Sequence, residues 1–254
     1  MANAAAPTLD LNRRRDWKTA FRAMRALLAD ANDTAQVFKI MHALNAGVAA
    51  KNYNRLLQTA EGGRIAYARV ELIDRLMDPD FLRQFAPGTV GAAYRAFLEK
   101  TGFSAAGLKE VGDEVHGAVH MEHPVAWFGR RERDIHDIWH VLTGYEANDP
   151  LGELCLVAFS YAQTKGLGWG FIATMGVLKH LRETHGRMVA RAAWEGYRHG
   201  RDTSWLLGED IEKLFAEPLD AARARLKIAE PVWYRRVKAI EAAPSAVAAT
   251  AAAA

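Results

Sequence analysis

Two histidines and two acidic residues lie close together in the middle of the chain: His136, Asp137 and His140, followed after a turn by Glu153. In an α-helix His136 and His140 project from the same face one turn apart, and Asp137 lies on the flank of that face. The turn at 148–150 allows an antiparallel return of the chain that brings Glu153 back toward the pair. Imidazole nitrogen and carboxylate oxygen suit zinc, and they also accept iron or manganese. The sequence therefore predicts a divalent metal with four protein ligands, with zinc as the first choice.

The histidine pattern is also compatible with two alternative arrangements. Partly exposed histidines could instead form surface hydrogen bonds with Asp137, Asp134 or Glu132. A site made only of protein ligands could also brace two helices, whereas a catalytic site needs a position open to water or substrate. A zinc protease is disfavoured, because its motif has a glutamate after the first histidine as general base, and this chain has Asp137 there.

The elements that must position these residues are helices. Apolar residues recur at helical spacing in segments 17–28, 37–44, 65–76 and 94–98, and we find no series of alternating strands joined by hairpin turns. Glycine and proline divide the chain into roughly ten helices of typical length. We predict an all-α protein with a single multi-helix domain over 1–241. The alanine-rich tail 242–254 has no apolar periodicity and is predicted to be disordered.

One apolar stretch, 154–178, contains a single formal charge, at Lys165. Gly166 and the polar residues around it divide the stretch into two pieces, each shorter than the ~20 residues that a bilayer crossing requires. We predict two buried helices joined by a turn. This apolar pair could also line a pocket for an apolar ligand.

Composition excludes some classes of function. The 33 Lys and Arg against 30 Asp and Glu give a net charge of only +3, so we expect no nucleic-acid binding. The one cysteine, Cys155, lies in an apolar run and has no partner, which fits a reducing compartment and a buried side chain. The first sixteen residues lack the features of a secretory signal.

The opening helix has two properties of a membrane-docking segment. Trp17, Phe21, Met24 and Leu28 form an apolar stripe, and a cluster of cations accompanies it, namely Arg13, Arg14, Arg15, Lys18, Arg22 and Arg25. An apolar face edged with positive charge fits an anionic bilayer surface, although the same stripe could simply pack on the protein core. The segment 167–178 is the other candidate for membrane contact.

The residues His136 to His140 and Leu151 to Glu153 together resemble the signature of the coenzyme Q biosynthesis protein 4 family, which has the pattern His-Asp-x-x-His, eleven residues, Glu. Flanking segments are similar as well, at 124–125, 133–134, 218–219 and 223–226, and the resemblance extends from about 16 to 228. This chain departs from the pattern in one respect: twelve residues, not eleven, separate His140 from Glu153. We place the extra residue within 145–150, where a loop absorbs it. The alternative is that Glu146 or Asp149 replaces Glu153 as the ligand.

The resemblance implies that His136, Asp137, His140 and Glu153 are the metal ligands of an all-helical fold with an apolar cavity next to the metal site. It also implies a role in ubiquinone biosynthesis. The expected enzyme is a metal-dependent decarboxylase or hydroxylase that replaces the ring carboxylate of a polyprenylated 4-hydroxybenzoate by a hydroxyl. The alternative is a non-catalytic, metal-braced lipid-binding scaffold that organises ubiquinone-pathway enzymes.

Further expectations concern partners and location. The resemblance implies a polyprenylated aromatic substrate, contact with other ubiquinone-pathway proteins and peripheral membrane contact, while the sequence leaves a homodimer open. The implied location is the cytoplasmic side of the inner membrane in a bacterium or the matrix side of the mitochondrial inner membrane in a eukaryote. Arginines 130, 131 and 133 could hold an anionic head group or form a solvated helix start. We expect His116, His120 and His123 to lie in a loop or in the core.

Overall fold

The structure, a computed structural model, describes residues 13–30, 33–102 and 122–243. These residues form α-helices joined by short connections, with no β-strand among them, which confirms the all-α prediction. In chain order the helices are α1 Trp17–Ala29, α2 Thr34–Leu44, α3 Val48–Leu56, α4 Gly62–Ala68, α5 Leu72–Leu76, α6 Pro79–Arg83, α7 Val90–Thr101, α8 Pro124–Asp134, α9 His136–Thr143, α10 Pro150–Thr164, α11 Leu167–His180, α12 Gly186–Asp202, α13 Ile211–Ala216, α14 Leu219–Leu226 and α15 Val232–Ala242. A 3₁₀ turn, Leu206–Gly208, precedes α13.

Helix starts follow the expected capping chemistry. The side chains of Asp16, Thr89, Asp149 and Asp210 each accept a hydrogen bond from a backbone N–H in the first turn of the helix that follows. Such caps satisfy N–H groups that have no partner within the helix. The described residues contain more helices than the roughly ten predicted, and some of these helices are short. For example, α4, α5 and α6 have only five to seven residues each.

The main core forms around α10, which is buried along most of its length and packs against α12. Ala192, Ala193 and Gly196 of α12 are small and buried, which lets the two helix backbones approach closely. Cys155 lies fully buried in this core, which confirms the predicted burial of its side chain. The metal-ligand candidates therefore lie on or beside the most buried part of the main core.

The apolar stretch 154–178 forms two helices joined by a turn at Lys165 and Gly166, as predicted. The prediction that both are buried is wrong for the second helix, because in α11 only Gly168 is buried. α11 lies at the periphery of the bundle beside α1, α2, α10 and α12, and these neighbours leave one side of it exposed. Among the described residues, no helix combines the length and the apolar character that crossing a bilayer requires.

The opening helix divides its predicted apolar stripe between two environments. Met24 is buried and Leu28 packs beside it, in a small second core formed with α2 and α11. Trp17 and Phe21 remain 43 % and 53 % exposed. Of the predicted tail, Ala242 ends α15, while residues 244–254 lie outside the described residues.

Candidate metal centre

The two histidines are placed by a break between α8 and α9. α8 ends at Asp134, the buried Ile135 follows, and α9 begins at His136. His136 and His140 are therefore one turn apart on one short helix, and their ring centroids lie 5.1 Å apart with perpendicular planes. The helical placement predicted from their spacing is confirmed.

The connection from α9 to α10 returns the chain toward the histidines. Gly144 ends α9 in the left-handed region, with φ +76°, and its N–H donates to the carbonyl of His140 at 2.9 Å. Asp149 caps α10 by accepting from the N–H of Gly152 at 3.1 Å. A Cβ on Gly152 would lie 2.1 Å from the carbonyl oxygen of Glu146, so this close approach requires glycine. The next residue, Glu153, is thereby held in the first turn of α10.

Glu153 meets both histidines. Its Oε1 atom lies 3.2 Å from Nε2 of His140, and its Oε2 atom lies 3.9 Å from Nε2 of His136. One ligand atom from each of the three residues lies within 4.8 Å of the others. Ligand atoms about 2 Å from a tetrahedral zinc ion lie roughly 3.3 Å apart, so the His140 and Glu153 pair has the required spacing. The His136 atom needs only a small shift to join it.

The hydrogen bonding of His140 calls for a cation between its ring and Glu153. The Nδ1 atom of His140 lies 2.8 Å from the carbonyl oxygen of Tyr145, which can only accept, so Nδ1 carries the proton. In the neutral ring the Nε2 atom therefore presents a lone pair to the carboxylate oxygen at 3.2 Å. Two facing lone pairs repel each other unless a proton or a metal ion lies between them. The donor set and its geometry thus fit a divalent metal, and Nε2 is the atom that imidazole offers to it.

Two aromatic rings fix the histidine planes. Trp169, in the first turn of α11, stacks on His136 with centroids 5.4 Å apart and planes 7° apart. Phe97 stacks on His140 with centroids 5.9 Å apart. The buried Nδ1 atom of His136 has no hydrogen-bond partner among the described residues. Stacking, not hydrogen bonding, therefore holds the plane of the His136 ring.

Glu153 and His140 shift each other's pKa values. Partial burial disfavours the charged form of Glu153, but its interactions with the rings of His136 and His140 outweigh burial and lower the Glu153 pKa to about 2. Burial opposes protonation of His140, yet the hydrogen bond and the charge of Glu153 raise its pKa. Without a metal, the pair is therefore an imidazolium and a carboxylate at mildly acidic pH.

Asp137 lies outside the three-residue group. Its side chain is buried beside the centre, and burial raises its pKa against the opposing charge of His136 and His140. The structure thus brings together three of the four predicted ligands and places Asp137 as a neighbouring carboxyl group. Coordination by Asp137 stays a prediction.

The alternative acids have other partners. Glu146 forms an exposed ion pair with Lys100, with Oε1 and Nζ 3.0 Å apart. Asp149 caps α10 and binds Lys238 at 3.1 Å. Glu153 is the acid that reaches the histidines. The placement of the extra residue within 145–150 stays a prediction.

The three arginines near the centre are bound to protein groups. Arg130 pairs with Glu71, Arg131 donates to the carbonyl of Glu209, and Arg133 pairs with Asp134. These contacts support a structural role. Among the other histidines, His123 caps α8 by accepting from Val125 N–H at 3.2 Å, whereas His116 and His120 lie outside the described residues.

The centre is open on one side. The His140 side chain is only 1 % exposed, but Glu153 is 40 % and His136 17 % exposed. A pocket of about 40 Å³ elsewhere is lined in part by Trp127, Arg131 and Asp210 and by none of the three clustered residues. The predicted apolar cavity beside the metal stays a prediction.

Sequence reasoning missed three contributors to the centre: the carbonyl of Tyr145 and the rings of Trp169 and Phe97. The residue type cannot indicate which backbone carbonyl binds a side chain, because every residue has a carbonyl. The two rings come from α7 and α11, which are distant in sequence from the histidines. No local pattern indicates such contacts.

Together these features define an all-helical protein with a His-His-Glu cluster able to hold a cation. A family model described as "Coenzyme Q (ubiquinone) biosynthesis protein Coq4" matches residues 9–232. The chain therefore belongs to the Coq4 family, which confirms the resemblance drawn from the histidine motif.

Curated relatives agree with this membership. The ubiquinone biosynthesis protein coq4, mitochondrial, of Pyrenophora tritici-repentis is 29 % identical over 196 residues, covering 74 % of this chain and 62 % of the relative. The mitochondrial COQ4 homolog of Bos taurus is 27 % identical over 182 residues, covering 70 % and 64 %. The chain thus matches less than two thirds of the length of these relatives. A crystal structure of a Nostoc punctiforme protein assigned to ubiquinone biosynthesis has the same fold, with a TM-score of 0.62 and 22 % identity, over 85 % of this chain and all of that one.

Proposed function

We propose that this protein acts in ubiquinone biosynthesis as a metal-dependent enzyme that oxidatively decarboxylates a polyprenylated 4-hydroxybenzoate-type head group. The names of its relatives support the pathway. The observation that carries the metal chemistry is the 3.2 Å approach of His140 Nε2 to the Glu153 carboxylate, on a centre that is open at Glu153. Three protein ligands and an open side are the arrangement of catalytic zinc sites.

In this proposal His136, His140 and Glu153 hold the metal. A bound Zn²⁺ would supply Lewis-acid stabilisation of the negative charge on the substrate carboxylate or on the phenolate oxygen para to it. Trp169 and Phe97 keep the two imidazole planes fixed, so little reorganisation is needed when the substrate binds.

The overall conversion requires an oxidant. The bond between the ring and its carboxylate breaks, carbon dioxide leaves, and the ring carbon gains a hydroxyl, which removes two electrons from the substrate. Zinc has no redox chemistry, so those electrons pass to another reactant. We take dioxygen as that reactant, reduced to hydrogen peroxide, with water supplying the hydroxyl oxygen in the net balance.

The test uses the full chain loaded separately with zinc, iron or manganese. Each form receives dioxygen and a prenylated 4-hydroxybenzoate labelled at the carboxyl carbon. We expect labelled carbon dioxide and a ring-hydroxylated product from wild type with at least one metal, and neither from Glu153→Gln. Substrate binding without release by every metal form would instead support the metal-braced scaffold. A wild-type protein that retains no metal would refute the metal centre.

We also propose that the protein docks on an anionic membrane surface through α1 and α11, because a polyprenylated substrate resides in the bilayer. Trp17 and Phe21 are exposed and lie against Phe171 of α11, with ring centroids 5.9 and 5.1 Å away. Leu178 is 52 % exposed on the same helix α11. Exposed cations on and next to α1 can meet anionic head groups: Arg14, Arg15, Lys18, Arg22 and Arg25.

Flotation with vesicles of phosphatidylglycerol and phosphatidylcholine tests the docking surface. Binding is expected at low salt, weaker at high salt, and reduced in Phe21→Ser. Tyr67→Ser is the matched control, since Tyr67 is 90 % exposed on α4. Wild type that stays with the soluble fraction at low salt would exclude this surface. We further propose that the docked protein lies on the matrix side of the mitochondrial inner membrane in a eukaryote, or on the cytoplasmic side of the inner membrane in a bacterium.

A further inference from the structure

The carboxyl end of the histidine-bearing helix α9 is held from outside by one arginine. The last carbonyls of an α-helix have no partner within it and must be satisfied elsewhere. Arg223, on α14, donates through Nε to the carbonyl of Leu142 at 2.9 Å and through Nη2 to that of Val141 at 3.1 Å. The guanidinium fork reaches two consecutive carbonyls, and its charge lies at the negative end of the helix dipole.

The connection that follows α9 is held by α15. The hydroxyl of Tyr234 accepts from the N–H of Glu146 at 3.3 Å. Lys238 binds one carboxylate oxygen of Asp149 at 3.1 Å, while the other oxygen caps Gly152. Both ends of the connection are therefore fixed by helices of the C-terminal part of the chain.

This arrangement determines where the carbonyl of Tyr145 lies. That carbonyl follows directly on Gly144, the residue that ends α9, and it lies 2.8 Å from His140 Nδ1. If the last turn of α9 shifted, the carbonyl would leave Nδ1, and Nε2 would no longer be directed at Glu153. Outer contacts of this kind set the orientation of a ligating imidazole.

We propose that Arg223 is a positioning residue for the metal centre: it fixes the carboxyl-terminal turn of α9 so that Tyr145 orients His140 toward Glu153. This inference rests on the proposed metal centre. It gives α14 a role in orienting the metal centre, although α14 lies outside the histidine motif. The contacts of Arg223 are with the carbonyls of Leu142 and Val141 and with Asp220, so it acts on the metal centre through α9.

The chain offers a matched control two residues further on. Arg225 lies on the same helix α14, but it pairs with Glu209 at 2.9 Å and Glu217 at 2.8 Å. Neither partner belongs to α9 or its connection, so the loss of Arg225 removes two contacts of a guanidinium group, as the loss of Arg223 does, but leaves the end of α9 in place. The variants to compare are Arg223→Met, Arg223→Lys and Arg225→Met.

The first readout uses metal-free protein at pH 6. The Nδ1 atom of His140 faces the carbonyl oxygen of Tyr145 and therefore carries a proton in the neutral ring as well as in the charged one, and this hydrogen bond protects the proton from exchange with water. We expect a ¹H–¹⁵N signal from this proton, assigned by its absence in His140→Gln, in wild type and Arg225→Met. The signal should be lost in Arg223→Met and partly restored in Arg223→Lys.

The second readout is the zinc dissociation constant, measured by chelator competition at neutral pH. Arg223→Met should bind roughly tenfold more weakly, Arg223→Lys should be intermediate, and Arg225→Met should match wild type. Should Arg223→Met fail to fold, unchanged signal and affinity in Arg223→Lys would overturn the proposal. It is equally overturned if Arg223→Met keeps both, or if Arg225→Met loses both to the same extent. If wild type binds no zinc, the metal centre is refuted, and the Nδ1 signal alone decides whether Arg223 orients His140.

Discussion

The ring of Trp169 lies parallel to the ring of His136, with the planes 7° and the centroids 5.4 Å apart. Trp169 belongs to α11, the apolar helix that is only half buried, whereas His136 begins the helix of the metal motif. A helix exposed at the surface therefore sets the orientation of one predicted ligand. This contact couples the proposed membrane-facing side of the molecule to its proposed chemistry.

Removing Trp169 should weaken metal binding without abolishing it. In Trp169→Ala the His136 ring loses its stacking partner and samples several orientations, so we expect zinc affinity to fall about tenfold. Trp194→Ala is the control, because Trp194 is 61 % exposed and stacks beside Tyr197, away from both histidines. Equal zinc affinities for Trp169→Ala and wild type would contradict this role.

Removing a ligand should have a larger effect. His140→Ala, His136→Ala and Glu153→Gln each take one of the three clustered ligand atoms, and we expect zinc affinity to fall by more than the roughly 100-fold upper range for outer contacts. The zinc content of each variant after gel filtration measures this loss of binding. Glu146→Gln, which alters only an exposed ion pair, should retain the metal. Loss of metal from Glu146→Gln but not from Glu153→Gln would show that the wrong acid was assigned.

Zinc affinity should increase with pH through the raised pKa of His140. Zinc must displace the proton that Glu153 stabilises on Nε2, so each bound ion releases about one proton and affinity changes roughly tenfold per pH unit below that pKa. Isothermal titration in two buffers of different ionisation enthalpy measures the released protons. Zinc binding with no proton release at pH 6 would contradict the coupling.

The metal-free protein should show the opposite trend in folding stability. The raised His140 pKa contributes stability that is complete below its unfolded value near 6.5 and is lost as pH rises through the folded value. The lowered Glu153 pKa contributes stability that is present above about 4.5 and is lost as pH falls toward 2. The Tm of metal-free wild type should therefore exceed that of metal-free Glu153→Gln, and this difference should be largest between pH 4.5 and 6.5. A Tm difference that does not depend on pH would exclude this ion pair.

Glycine at 152 should be required for the return of the chain. In Gly152→Ala the new Cβ would lie 2.1 Å from a backbone oxygen, so the connection must move, at a cost of about 1–3 kcal/mol in unfolding free energy. Gly63→Ala is the control, since no atom lies within 4 Å of its added Cβ, and it should be neutral or slightly stabilising. Urea unfolding of the two variants measures the difference, and equal stabilities would contradict the contact.

The sequence alone determined the helical class, the break between the two halves of the apolar stretch, and the pairing of His136 with His140. These are local properties: helical spacing, glycine and proline positions and capping residues act within a few residues of each other. The return of Glu153 to the histidines was also predicted, because the short turn before it allows the chain to run back, while Glu146 and Asp149 stayed open as alternative ligands.

Only the tertiary structure decided how the centre is oriented and which of its sides is open. Tyr145 provides a backbone carbonyl, Trp169 and Phe97 provide rings from distant helices, and Arg223 acts from the C-terminal part of the chain. The half exposure of α11 could likewise not be predicted from the sequence. An apolar run indicates that a helix favours burial, but it does not show whether enough neighbouring helices are present to cover it. Burial, stacking and long-range hydrogen bonds depend on which helices pack together, and residue spacing within one helix carries no information about them.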